Sequence, residues 1–352
     1  MSEFNRLRLI LGKHFQWHGP RLTLLAQFLV AVIRVGSVNL SQLSTAFVAK
    51  TLVASNYKRL QRFFREFRID YVEFARSITT WIGVEKDWVV ILDRTQWEFG
   101  NQMHNVLMLS IAYKGVAVPL LWTFLANRSN SYAHQRKALL HRFQPIFPNQ
   151  NIAYVTPDRE FIGKDWLSYL VHKSIPFCIR IRECDHLYDG QRSLSPKVVF
   201  SNLQVGEIQI LSKPRRIAGI WAFVVATRVV DGKVLVLITS RQPKKTLVDY
   251  AQTWQIETLF GCLKSRGFNL EATHISRRYR LSKMIALLTI ALIWSLHTGQ
   301  WQHSLQKLPL KKHGRPPISI FPQGLDFLRR ALFNLDPQPQ VFRQSLNFLS
   351  CT

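Results

Sequence analysis

The chain has 352 residues, with 47 Lys and Arg against 21 Asp and Glu, a formal net charge of +26. A hydrophobic fraction of 47% excludes a disordered polyelectrolyte, and the length exceeds one ordinary core, so two or three packed units are expected. So large a cationic excess calls for a polyanion partner, for which nucleic acid is the first candidate and an anionic membrane surface the rival.

The first 80 residues read as helical and carry no signal-peptide layout. Residues 21–35 form an apolar run of helix formers, 39–49 a second short helix, and Ser55 or Asn56 caps a third that runs to about Phe67. In that third helix Leu60, Phe63, Phe64 and Phe67 make one apolar face, with Lys58, Arg62 and Arg65 opposite and Arg59 on the flank. Such a unit fits a helix-turn-helix DNA reader as well as an ordinary solvated amphipathic helix.

From Trp88 the period changes. Residues 88–93 are almost wholly apolar up to Asp93, as in a strand covered on both faces, and 106–113 and 116–124 are two further strands around a Lys114-Gly115 turn. A helix over 131–143, a strand over 152–156 ending at Pro157-Asp158, and a helix over 164–173 follow. This order opens a ribonuclease-H-like fold within a mixed α/β protein. Residues 175–232 are strand-rich, with strands at 208–211 and 220–230 and a hairpin at Asp231-Gly232. Helices are expected over 247–265 and 280–298. The longest apolar stretch, Met284 to Leu296, has 13 residues and includes Thr289 and Ser295, shorter than the roughly 20 of a bilayer span. The organisation expected is therefore a helical DNA-binding domain at 1–80, core at 81–174, a β-rich insertion at 175–232, core again at 233–300, and a basic tail at 301–352. Cys178, Cys184, Cys262 and Cys351 lack paired short spacing and read as reduced structural thiols of a cytoplasmic protein.

Asp93 and Asp158 each close an apolar strand, where a lone carboxylate would be costly unless paired, protonated or metal-bound. Taken singly, either could be a turn or cap residue; neighbouring strand ends make them a pair. A third acid comes from the 247–265 helix. Tyr250, Thr253, Glu257 and Lys264 are spaced 3, 4 and 7 residues apart, which puts them on one helical stripe facing phosphate, with Leu247, Trp254, Leu259 and Leu263 covering the sheet. Three carboxylates on so basic a chain suit phosphodiester chemistry, in which two Mg²⁺ or Mn²⁺ ions about 4 Å apart activate the nucleophile and neutralise the leaving oxygen.

Asp93-Arg-Thr-x-Trp97, Asp158-Arg-Glu-Phe-Ile-Gly163, and Trp254-Gln-Ile-Glu257 with Lys264, Gly267-Phe268 and Thr273-His274 together resemble the transposases of insertion sequence family 4, as do His313-Gly-Arg315 and Gly324-Leu-Asp326 in the tail. The resemblance implies a DNA transposase with a ribonuclease-H-like core, a β-rich insertion, catalytic Asp93, Asp158 and Glu257, and two divalent ions per site. It implies binding of terminal inverted repeats in double-stranded DNA, cut-and-paste transfer into target DNA, a homodimer in the synaptic complex, no membrane partner, and a prokaryotic, nucleoid-associated location. Tyr250 and Lys264 match the family's phosphate-gripping helix signature, whereas Thr253 stands where the family has Arg. Trp221 matches an aromatic that stacks on a flipped base, although sheet packing is the more ordinary use of a tryptophan. Arg94 and Arg159 either touch phosphate or brace the acids, and Arg277, Arg278 and Arg280 form a basic cluster suited to a DNA groove. A structure-selective nuclease of the same fold and a non-catalytic, transposase-derived DNA-binding protein are the alternatives.

Overall fold

The computed structural model describes residues 3–47, 51–84, 87–99, 102–126, 129–241, 243–305, 318–335 and 337–350. In chain order the elements are α1 (Glu3–His14), α2 (Gly19–Val35), α3 (Leu40–Thr45), α4 (Val53–Glu66), α5 (Tyr71–Ile82), β1 (Trp88–Phe99), β2 (Gln102–Tyr113), β3 (Val116–Leu125), α6 (Ala133–Ile146), β4 (Ile152–Pro157) and α7 (Lys164–His172). They continue with β5 (Cys178–Ile181), β6 (Leu187–Tyr188), β7 (Ser193–Leu194), α8 (Pro196–Val199), β8 (Ile208–Ile210), β9 (Arg215–Ile217), β10 (Ile220–Arg228) and β11 (Val234–Thr239). The last are α9 (Thr246–Ala251), α10 (Trp254–Leu263), α11 (Arg278–Leu305), α12 (Ile320–Phe333) and α13 (Pro339–Asn347). The protein is thus mixed α/β, as its two sequence periods required.

Two compact units emerge. One comprises residues 85–95 and 105–257 and holds both sheets except the end of β1 and the start of β2. Its first sheet has the order β3-β2-β1-β4. Strands β2 and β3 are antiparallel through the Lys114-Gly115 turn, where both residues take positive φ, and β1 runs parallel to β4 with Leu92 opposite Pro157. The second sheet has the order β5-β11-β10-β9-β6-β7, with β8 also on β10. Strand β11 belongs to this sheet, paired to β10 and β5. The β-rich segment therefore extends past 232, where the sequence pattern placed its end, because the Asp231-Gly232 hairpin returns β11 into the same sheet.

The other unit comprises residues 1–84, 96–104 and 258–352 and is built around α11. The N-terminal helices do not stand apart: α2, α4 and α5 pack on α11, and α2 also packs on α12. The expected basic tail is likewise part of this core. Its segment 308–317, including His313-Gly-Arg315, lies outside the described residues, but Phe321, Leu325, Leu328 and Leu332 of α12 are buried. Arg329 and Arg34 tie α12 to α2 by donating to the carbonyls of Ile33 and Leu332, at 3.0 and 2.7 Å. The crossing of α11 and α12 is closed by two glycines: a Cβ on Gly299 would run into the Ile320 carbonyl, and one on Gly324 into that of Ser295. Among the described residues α11 is the one helix long and apolar enough to cross a membrane; 89% of its most apolar window is buried in the protein. The 13-residue run understated its length because Lys283 and His297, which bound it, continue the helix with their side chains on the carbonyls of Phe64 and Phe348, at 2.9 and 3.0 Å, while Thr289, Ser295 and Thr298 satisfy their hydroxyls on carbonyls one turn back.

Helices α1, α5, α8 and α13 are not evident from the sequence pattern. Helix α5 has Asp70 as a cap accepting from the amides of Val72 and Glu73, and Gly83 in left-handed conformation closing it. Helix α4 begins at Val53 rather than at Ser55 or Asn56: Asn56 lies inside it, buried, accepting from the Thr51 hydroxyl at 2.8 Å.

Candidate active site

Parallel pairing of β1 and β4 brings the first two acids together. With Leu92 opposite Pro157 in the register, Asp93 and Asp158 follow at adjacent positions on strands about 4.8 Å apart. Asp93 is 9% exposed, and its Oδ1 accepts the Arg94 amide at 2.7 Å. Burial pushes its carboxyl up to about 8; the negative charges of Asp158, Glu257 and Glu160 push the same way, against the stabilising Arg94 amide. Asp158 sits half-buried where β4 turns into the short helical turn Arg159–Phe161.

That turn is clamped from two sides. Arg94 grips Glu160 with two hydrogen bonds of 3.0 Å, and a third donor reaches the Asn105 side chain at 3.3 Å. This fork, first of all the hydrogen bond to Glu160, holds the Arg94 guanidinium above its ordinary range. Arg136 of α6 is buried, donates to the Phe161 carbonyl at 3.0 Å and lies 4.6 Å over the Phe161 ring. Its burial lowers it to about 10, with Glu160 opposing that fall. Of the two readings of Arg94, the structure gives the brace. Arg159 is exposed.

The third acid arrives by a different route from the one its spacing suggested. No continuous helix spans 247–265. Helix α9 ends at Ala251, α10 begins at Trp254, and the junction is made of three-residue turns, with the Thr253 amide on the Tyr250 carbonyl and the Ile256 amide on the Thr253 carbonyl. The single stripe is therefore broken. Three hydrogen bonds fix the junction to the sheet: Tyr154 donates to the Asp249 carbonyl at 2.9 Å, the hydroxyls of Thr156 and Thr253 meet at 2.7 Å, and the buried Gln255 accepts the Tyr113 amide at 2.7 Å. Glu257 then lies exposed in the first turn of α10, close enough for Asp93 to feel its charge. Trp254, expected to cover the sheet, is 68% exposed.

Tyr250 faces inward with Tyr154, Cys178 and Leu237, and its phenol is pushed up to about 12, mainly by burial. The positive charge of Arg180 on β5 opposes that rise. Motif spacing does not single out Arg180; its signal is the two-residue step from Cys178, which puts both side chains on one face of a strand. Lys264 belongs to the helical unit, where its ammonium donates to the Gln96 carbonyl at 3.2 Å and stands 3.9 Å from Glu271. Trp221 on β10 is 54% exposed, opposite Arg216 in the register, beside a hollow of about 360 Å³ shared with Val171, Pro214 and Arg241.

In the helical unit Lys58, Arg62 and Arg65 are exposed on α4, with Arg65 paired to Glu66 at 2.7 Å; Arg59 is half-buried against Asn56. Arg277, Arg278 and Tyr279 are exposed. A cleft of about 230 Å³ brings Tyr57 and Gln61 of α4 to His274, Arg277 and Arg280.

Among the described residues no group of three or more His, Cys, Asp or Glu is gathered closely enough to enclose a metal ion. The donor set is nevertheless the one a hard cation takes: three carboxylates, of which one is buried against the charges of the other two. Cys178 and Cys184 are free thiols, the first buried and the second exposed.

The transposase DDE domain family matches residues 85–294. The chain belongs to this family. The match contains all three acids and the whole β-rich segment. No curated protein matches the chain. Among solved structures, the piggyBac transposase synaptic complex with hairpin DNA is similar at 12% identity and a TM-score of 0.48, over 98% of this chain and 80% of that one.

Proposed function

We propose that this DDE-family transposase cuts and joins DNA at the ends of its own mobile element, with Asp93, Asp158 and Glu257 as ligands of catalytic divalent cations on a ribonuclease-H-like sheet. The observation that carries this reading is the burial of Asp93 beside Asp158 on parallel strands, within reach of the charge of Glu257. Repulsion of that kind is relieved by a cation, and the family match covers all three residues. Bound Mg²⁺ or Mn²⁺ would supply charge neutralisation and an activated water or 3′-hydroxyl. The protein's own share is placement. The Arg94–Glu160 fork and Arg136 hold the Asp158 turn against β1, and the Thr156–Thr253 and Gln255–Tyr113 bonds set the start of α10. The exposed cations of α4 and of residues 277–280 fit the flanking phosphates of inverted-repeat or target DNA, and Trp221 fits a base-stacking role. Membership of insertion sequence family 4 and a synaptic homodimer are parts of the same proposal.

The deciding experiment is cleavage of a labelled duplex carrying the DNA that flanks the coding sequence. Asp93→Asn, Asp158→Asn and Glu257→Gln should each abolish Mg²⁺-dependent nicking while leaving duplex affinity within a few-fold of the parent. Retained nicking in any of the three refutes the ligand assignment. Cleavage without strand joining in the parent would indicate a nuclease instead.

A further inference from the structure

Helix α4 is fixed on one side and bare on the other. Asn56, Leu60, Phe63 and Phe64 are buried, and α3 and α11 pack against the helix. The Lys283 ammonium of α11 donates to the Phe64 carbonyl at 2.9 Å, and the Thr51 hydroxyl on Asn56 pins the chain just ahead of the first turn. At about 100° per residue, these inward positions leave Ala54, Ser55, Lys58, Gln61, Arg62 and Arg65 on the opposite side, and all six are exposed. The helix has one acid, Glu66 in its last turn, and Arg65 pairs with it. The bare face is therefore complementary to a polyanion. Its start has a different chemistry. Leu52 is 78% exposed and Val53 49%, followed by Ala54 and Ser55, so the open end of a cationic face is apolar and uncharged.

Adjoining apolar side chains cannot bind phosphate, and cations alone carry no sequence information. A DNA duplex offers partners for both. Its phosphates line the walls of the major groove, and thymine methyl groups and base edges form the floor. An α-helix with its side chains is about 10–12 Å across and enters a groove of about 12 Å. From Ala54 to Gln61 the helix rises roughly 10 Å, the span of about three base pairs. We propose that α4 lies in the major groove at the ends of the mobile element and that Val53, Ala54, Ser55 and Gln61 determine which sequence is bound. Val53 and Ala54 pack on thymine methyl groups, the Ser55 hydroxyl meets a base edge, and the Gln61 amide pairs with adenine. Lys58, Arg62 and Arg65, with longer side chains, reach the phosphates of the walls. This deepens the reading of the chain as a transposase acting on its own element and rests on it. Recognition is thereby assigned to uncharged residues of the helical unit, apart from the acids that cut.

The probe is a fluorescein-labelled duplex carrying the DNA that flanks the coding sequence, bound by the full chain in EDTA so that affinity does not depend on cleavage. Thymines are replaced one at a time by uracil, which removes only the methyl group. The parent should lose affinity about fourfold at one or two of them, the worth of one buried methyl. Val53→Ser combined with Ala54→Ser should become insensitive at the same positions. Base pairs are then exchanged one at a time. Gln61→Ala should lose roughly tenfold or more of the parent's preference for adenine at one pair, and Gln61→Glu should shift that preference toward cytosine. The serine and alanine variants should keep the parental slope of log affinity against log salt, because no charge is removed. Arg62→Gln should lower that slope by about 0.9 on flanking and scrambled duplex alike. Uracil and base-exchange profiles that match the parent's in these neutral variants overturn the inference. So does a parent that binds scrambled duplex as tightly as the flanking DNA, since the face then holds phosphate only. The two readings fail separately. Nicking retained by Asp93→Asn would remove the ligand assignment and leave the base profile standing. A dead Asp93→Asn with parental profiles in the α4 variants would remove the base readers and leave the triad.

Discussion

Replacing Asp93 by Asn should make the metal-free protein more stable, and increasingly so as pH rises. Asp93 titrates near 8 in the folded chain against 3.8 for an ordinary aspartate, a span of about four pH units. The folded chain keeps a proton there that the unfolded chain releases, so this group's contribution is fully present below about pH 4. It is lost progressively up to about pH 8 and changes no further above that. At about 1.36 kcal/mol per unit, the loss is of order 4 kcal/mol at pH 7 and 6 kcal/mol at pH 9, both upper limits. Asn keeps an oxygen for the Arg94 amide and does not titrate. A gain of roughly 2–4 kcal/mol at pH 7 corresponds to roughly 4–16 °C in Tm. The assay is thermal unfolding of both proteins in EDTA at pH 5, 7 and 9. Added Mg²⁺ should then raise the Tm of the parent and not of the variant, narrowing the gap, because a ligand stabilises only the fold that binds it. A gap that is constant across pH, or that shrinks as pH rises, refutes the argument that burial and like charge define this carboxyl.

Three further outcomes are expected. Glu160→Gln leaves the Arg94 guanidinium without its counter-charge at a site where both side chains are only 17% exposed; it should cost about 2–4 kcal/mol in chemical denaturation and lower kcat more than it raises KM. Trp221→Ala should leave stability within about 1 kcal/mol, since the ring is half-exposed, but weaken binding of DNA with an unpaired base by about 1–3 kcal/mol if the ring stacks; equal loss on fully paired duplex counts against stacking. Lys58→Gln with Arg62→Gln should reduce the salt slope of duplex binding by up to about 0.9 for each phosphate left unneutralised, with far-UV circular dichroism unchanged; an unaltered slope would make the α4 face an ordinary solvated one.

Asp93 and Asp158 stood out in the sequence because each ends an apolar run; the structure keeps Asp158 just past the end of β4 but carries β1 on to Phe99, so Asp93 lies within its strand rather than closing it. The hairpins were legible because Lys114-Gly115 and Asp231-Gly232 are turn chemistry independent of context. The break between α9 and α10 was not. Residues 247–265 are all compatible with helix, and what interrupts them is tertiary: the hydroxyl contact between Thr253 and Thr156 and the inward pull on Tyr250. Arg180 stayed hidden for the same reason, since its significance depends on which strand β5 lies beside. The division into units escaped for a third reason. Helix α11 is apolar around its whole circumference, and local pattern cannot say which helices, at which distance along the chain, will cover it.

That coverage sets an order of events during synthesis. The sheet-bearing unit is nearly continuous in sequence, so its contacts can close once residue 257 has left the ribosome. The helical unit cannot. Helices α1 to α5 emerge first, yet the core they share with α11 is completed only when α12 docks its glycine against Ser295. Until then both α2 and α11 present bare apolar surface, and closing a loop of nearly the whole chain makes that docking slow. A product cut short after α11 would keep all three acids and the whole of the family's matched segment. It would also carry an unsheathed apolar rod, which marks it for aggregation or proteolysis rather than for work on DNA.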